Sequence, residues 1–153
     1  MVKSNTMKSF FGDGVYEEIS SRLNKLDSNS KPVWGKMNSA QMLHHCQMPL
    51  NIILGKEDYG VKPNWLINLL FKKSMYSDKP WRKNLPTAPG FKITEDKDFE
   101  TELNEIKNLL KELNSIRDRK KWKPHPAFGK LSKDQWGKMQ YKHLDHHLKQ
   151  FGV

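Results

Sequence analysis

The stretch FETELNEIKNLLKEL, Phe99 to Leu113, decides the fold class. Phe99, Leu103, Ile106, Leu110 and Leu113 recur at steps of three and four residues, the period at which one helical face repeats. They form a narrow apolar stripe on an otherwise charged segment, which is the pattern of a helix in a bundle. Glu95, Asp96, Asp98, Glu100 and Glu102 crowd its expected first turns and lysines follow, as the helix dipole favours. Thr94 is the expected cap.

Working outward, the other segments read as helices joined by loops, and no stretch alternates apolar and polar residues for long. Ile19, Leu23 and Leu26 predict a helix over Tyr16 to Leu26, started by Asp13 or Gly14. Pro32 and Gly35 make the next stretch a loop. Asn38 and Gln41 have the spacing of a capping box and open a helix that runs to about Leu54, with Gly55 closing it. Pro49 sits inside that helix, and its missing N–H frees the carbonyl of His45. Asn64 to Met75 reads as a shorter helix with Trp65, Leu66, Leu69 and Leu70 turned inward. Three prolines and Gly90 make Ser77 to Ile93 a long loop, of the kind that often belongs to a site. Ser132 and Gln135 form a second capping box, starting a helix that ends near Phe151. The expected architecture is one all-α domain over residues 1–153: a four-helix bundle with a short extra helix and long crossover loops.

Composition narrows the function. A chain of 153 residues buries a core without covalent staples. Its single cysteine, Cys46, excludes an internal disulfide. The longest apolar cluster, WLINLLF from Trp65 to Phe71, is far too short to span a bilayer, and the N-terminus is too polar for a secretory signal. These features predict a soluble, cytoplasmic protein with no membrane partner. The formal net charge is +10, but the lysines are spread along the chain. The densest run, IRDRKKWKPH from Ile116 to His125, holds one aromatic and no nucleic-acid motif, and reads as a solvated basic loop.

Three of six histidines fall in YKHLDHHLKQFGV, Tyr141 to Val153. Residues i and i+4 on a helix project from one face, so His143 and His147 can share an ion; His143 and His146, at i and i+3, can too. Leu144, Leu148 and Phe151 mark one apolar edge, and Trp136, Met139 and Gln140 the other. His143 and His147 fall between these groups, and His146 lies further round. A catalytic zinc-type site takes three protein ligands, so a third must come from elsewhere. His44 and His45 on the second helix and His125 before the last one are the candidates. The competing reading is a polar helix end, where imidazoles sit well against the dipole.

Two blocks, MNSAQMLHHCQMPL (Met37 to Leu50) and HPAFGKLSKDQWGKMQYKHLDHHLKQFGV (His125 to Val153), resemble the DinB/YfiT-like family of metalloenzymes. More closely, the chain is similar to an uncharacterised DinB-related branch. The resemblance implies a four-helix bundle with three histidines around a divalent ion, zinc or nickel: one on the second helix and a His-x-x-x-His pair on the last. Carried over, the ligands are His45, beside Cys46, and His143 with His147. Members with known activity include thiol-dependent transferases and a thiol-dependent isomerase. Some members hold no metal, and dimers are frequent.

The function expected from these readings is a divalent-metal-dependent enzyme with a small-molecule substrate and a low-molecular-weight thiol, doing transferase, isomerase or hydrolase chemistry. Trp34, Trp81, Phe91 and His125 are the expected pocket walls. Gln140 and Asp145 are the expected partners of the imidazoles, and Arg82 or Lys142 would draw an acidic substrate to the mouth. Two other classes compete: a non-catalytic bundle with a structural or vacant metal site, acting by binding or as a homodimer, and a nucleic-acid binder.

Overall fold

The structure, a computed structural model, describes residues 6–153. It contains five α-helices: α1 (Val15–Leu23), α2 (Ser39–Leu54), α3 (Trp65–Tyr76), α4 (Phe99–Ser115) and α5 (Lys133–Gln150). A 3₁₀ turn, Pro89–Phe91, interrupts the long loop before α4. Among the described residues there is no strand, only an isolated bridge between His125 and Gly129. None of these helices is long and apolar enough to cross a membrane.

Both capping boxes form as the sequence predicts. Asn38 accepts from the Gln41 N–H and Ser132 from the Gln135 N–H, while each glutamine returns a bond to its cap's backbone. Each box satisfies two amide donors that a helix start leaves free. Gly55 closes α2 at φ 73°, in the left-handed region that glycine enters without a steric cost. Two boundaries differ from expectation. α1 stops at Leu23, and Leu26 reaches the core from the turn that follows. α4 is capped by Asp98 rather than Thr94, so Glu95 and Asp96 lie outside it. Asp98 accepts from both the amide and the hydroxyl of Thr101, and Phe99 behind it opens the buried stripe.

One core joins α1, α2, α4 and α5. Ile19 and Leu23, Leu43 and Leu50, Ile106 and Leu110, Trp136 and Leu144 are among its fully buried members from those helices. The most extensive packing is α2 on α4, and α5 lies against α1, α2 and α3. The stripe that starts at Phe99 is buried from Phe99 through Leu113. α3 departs from expectation. None of its residues is buried, and Trp65, Leu66, Leu69 and Leu70 face outward instead of inward. The side it turns to the body is mixed: the Asn68 side-chain amide donates to the Ala127 carbonyl and the Lys72 ammonium to the Lys130 carbonyl, while Met75 and Tyr76 in the last turn pack against the core.

The N-terminal segment is seated on α5 at Gly137. The Phe10 amide donates to the Gly137 carbonyl at 2.9 Å, and the side chains of Ser9 and Phe11 occupy the space a Cβ would take. Helix propensity alone favours alanine over glycine by about 1 kcal/mol. Here Gly137→Ala is expected to destabilise, because the added methyl overpacks a filled contact, an effect of about 1–3 kcal/mol. Urea denaturation of the two proteins checks the sign.

Candidate metal centre

Two helices bring three imidazoles together. His143 and His147 leave α5 one turn apart, and α2 presents His45, which precedes His143 by 98 positions in the chain. The Nε2 atoms of His45 and His143 are 3.0 Å apart. The ring centroids lie 4.9 Å (His45–His143), 4.7 Å (His45–His147) and 4.7 Å (His143–His147) from one another. One nitrogen from each ring falls within 4.8 Å of the others, and the group is buried. Two nitrogens bound to one zinc-sized ion at ~2.0–2.1 Å stand roughly 3–4 Å apart. The widest separation in the cluster is therefore within about 1–2 Å of what one ion requires.

Hydrogen bonds outside the cluster fix how two of the rings point. His45 Nδ1 lies 2.8 Å from the Phe91 carbonyl, which only accepts, so Nδ1 carries the proton and Nε2 keeps its lone pair. Gln150 does the same for His147. Its Nε2 donates to the Trp34 carbonyl at 2.8 Å, which places Oε1 2.8 Å from His147 Nδ1 as an acceptor. His147 Nε2 is thereby left as the free base. An outer carbonyl that sets the tautomer of a histidine is the usual companion of imidazole ligation. Gly35, at φ 86°, keeps this arrangement open, since a Cβ there would strike the Gln150 amide nitrogen.

The cluster is neutral at ordinary pH. Burial, above all, pushes His143 far below the usual imidazole range, and its neighbours His147, His45 and His146 add to it. Burial, with His45 next, lowers His147 to about 3. Burial also lowers His45, partly opposed by its bond to the Phe91 carbonyl. Neutral imidazole is the ligating form.

The other expected residues are placed differently. His44 points away and pairs with Glu102 at 2.9 Å, in a network where the Gln47 amide also donates to Glu102. His146 packs edge-on against His147, Trp34 and Trp81, outside the triangle. His125 is not a pocket wall. Its Nδ1 accepts from the amides of Ala127 and Phe128, capping its own turn, and its ring lies against Phe128 and Trp136. Asp145 bonds no imidazole but Arg22 and Lys149, each at 2.8 Å, and Gln140 is buried with its amide nitrogen unpaired. Cys46 is buried with its thiol on the Met42 sulfur, and burial pushes that thiol upward, so it is neither ligand nor nucleophile. Lys142 lines a neighbouring cavity, but its ammonium is held on the carbonyls of Ser74 and Ser77 at the end of α3 rather than offered to a substrate.

Trp34 and Trp81 do line that cavity, of about 150 Å³, with Met7, Pro80, Lys83, Lys142, Asp145, His146 and Lys149; it reaches His146, beside His147, and none of the three clustered imidazoles is on its wall. Trp81 also meets the His143 ring edge-on at 6.0 Å, while its indole N–H donates to the Ser74 carbonyl. Two contributors escaped sequence reasoning. Phe91, expected to supply a ring to the pocket, supplies its carbonyl to His45. Gln150 stands three residues after His147, and that one-turn spacing is the signal that could have found it.

A family model described as "Protein of unknown function (DUF1569)" matches residues 12–152, nearly the whole chain, and the chain belongs to that family. No curated protein and no solved structure matches it.

The depressed imidazoles set a pH dependence. Below about 6.5 the unfolded chain takes up protons that folded His147 refuses until about 3, so the unfolded state binds more protons in that window. Stability is therefore expected to fall as pH drops from 6.5 towards 3, and His125, lowered to about 4 by burial, acts in the same direction. Thermal melts of the metal-free protein between pH 7.5 and 4 test this, and a flat profile would contradict it.

Proposed function

We propose that the chain is a divalent-metal-dependent enzyme acting on a small molecule, built on a four-helix bundle of the DinB/YfiT-like kind. The shared core of α1, α2, α4 and α5, with α3 lying outside it, supports that bundle reading. The observation that carries the functional reading is the tautomer lock. The Phe91 carbonyl and the Gln150 amide hold His45 and His147 so that their Nε2 lone pairs converge with His143. Without an ion, His143 Nε2–H donates to the His45 Nε2 lone pair at 3.0 Å, and a bound cation would take the place of that proton between the two nitrogens.

His45, His143 and His147 would hold the ion, and an all-imidazole set suits zinc or nickel. Three protein ligands leave a position for a water, a thiol or a substrate atom. When bound, such an ion supplies a Lewis acid that lowers the pKa of a water or small thiol at that position. The chain's own residues do the rest. Phe91 and Gln150 orient the bases, while Trp34 and Trp81 line a small cavity that reaches His146, next to His147. Cys46 is spent in the core, so thiol-dependent chemistry here takes its thiol from a low-molecular-weight donor.

Metal analysis after loading with zinc or nickel and exhaustive dialysis tests the reading. About one ion per chain is expected, with His143→Ala losing it and keeping its helical spectrum. Wild-type protein that retains no ion, or a variant that still does, would sink the proposal. A variant that loses the ion and also unfolds would mark the metal as structural. Gln150→Ala leaves all three ligands in place and is expected to weaken metal affinity by about 10–100-fold.

A further inference from the structure

The described residues include eight exposed large hydrophobic side chains, and six belong to α3: Trp65, Leu66, Ile67, Leu69, Leu70 and Phe71. Trp65 and Leu69 are the most open of these, at 77% and 73% exposed. Isolated exposed leucines need no explanation, whereas a helix that turns its apolar side chains to solvent marks an interaction surface. α3 is held in this attitude by Asn68 on Ala127, Lys72 on Lys130, and Met75 and Tyr76 on the core, which leaves the apolar side chains of residues 65–71 to solvent.

Charge says what the surface meets. Between Gly60 and Leu85 stand Lys62, Lys72, Lys73, Lys79, Arg82 and Lys83, against one acid, Asp78. That acid is engaged, accepting from the Met7 amide and lying 3.9 Å from Lys138. A second copy docked on this face would set two cationic rims together with no carboxylate on the segment to pair them, an arrangement that costs affinity. A surface of anionic lipid satisfies both features. Leucine, tryptophan and phenylalanine side chains enter the boundary between headgroups and acyl chains, and lysine and arginine meet the headgroups.

We propose that α3 is a peripheral membrane anchor that docks this chain on anionic lipid surfaces. At 12 residues it cannot span a bilayer, so it lies in the interface plane. On this proposal a membrane surface becomes a partner, which the lack of a spanning stretch had argued against.

Co-sedimentation of the full chain with two kinds of vesicle tests it: phosphatidylcholine alone, and phosphatidylcholine mixed with phosphatidylglycerol. The protein should pellet with the anionic vesicles and stay largely in solution with the neutral ones. The double variant Leu69→Asp/Leu70→Asp should lower the bound fraction at least fivefold. Both side chains are exposed, so its circular dichroism and melting temperature should match the parent. Lys79→Glu/Arg82→Glu should reduce binding to the anionic vesicles while leaving the apolar face intact. Failure to pellet with anionic vesicles overturns the proposal. So does binding that the Leu69→Asp/Leu70→Asp variant retains, which would assign it to the overall +10 charge. A dimer seen by sedimentation velocity and abolished by that variant, without lipid binding, would identify the occupant as a second copy.

Discussion

The Gln150 side-chain amide, bonded at once to His147 Nδ1–H and to the Trp34 carbonyl, joins the imidazole cluster to a loop 116 positions earlier in the chain. On one side it sets which nitrogen of His147 faces His45 and His143. On the other, the same amide holds the Trp34 carbonyl, fixing the loop between α1 and α2 against the end of α5. An amide can serve both only in one orientation, since the loop carbonyl must receive its N–H and the imidazole must meet its oxygen. The cluster's chemistry and the loop's path are therefore one constraint. The Phe91 carbonyl plays the matching part for His45, so the long loop before α4 is also committed to the site.

This explains the pattern of what the sequence discloses. The α4 stripe and the two capping boxes were readable because their physics is local: a period of 3.6, or a side chain three residues from its partner. The His143–His147 pair was readable for the same reason. His45 could be preferred over His44 only through resemblance, because adjacent residues on a helix differ by a rotation that only tertiary packing resolves. His44 is turned aside by Glu102, a carboxylate from another helix. Asp145 lines the cavity but bonds no imidazole, because Arg22 of α1 takes its carboxylate. Lys142 was misjudged because the carbonyls that bury it belong to α3. Each error concerns a polar side chain whose partner is distant in sequence.

The misreading of α3 is of another kind. Apolar residues at helical spacing were assigned to the core because burial is where such residues usually gain most. Four helices fill the core without α3, and the loop before α5 offers it the Ala127 and Lys130 carbonyls, which suit Asn68 and Lys72 and leave only Met75 and Tyr76 to reach the core. Periodicity finds a helix and its apolar side, but which side meets the body depends on what the body offers there.

Gly35 carries a broader consequence. Its left-handed backbone and missing side chain leave room for the amide that orients His147, though it contributes no atom to the imidazole cluster. A side chain at position 35 would displace that amide and so loosen His147 from a distance, without touching any of the three imidazoles.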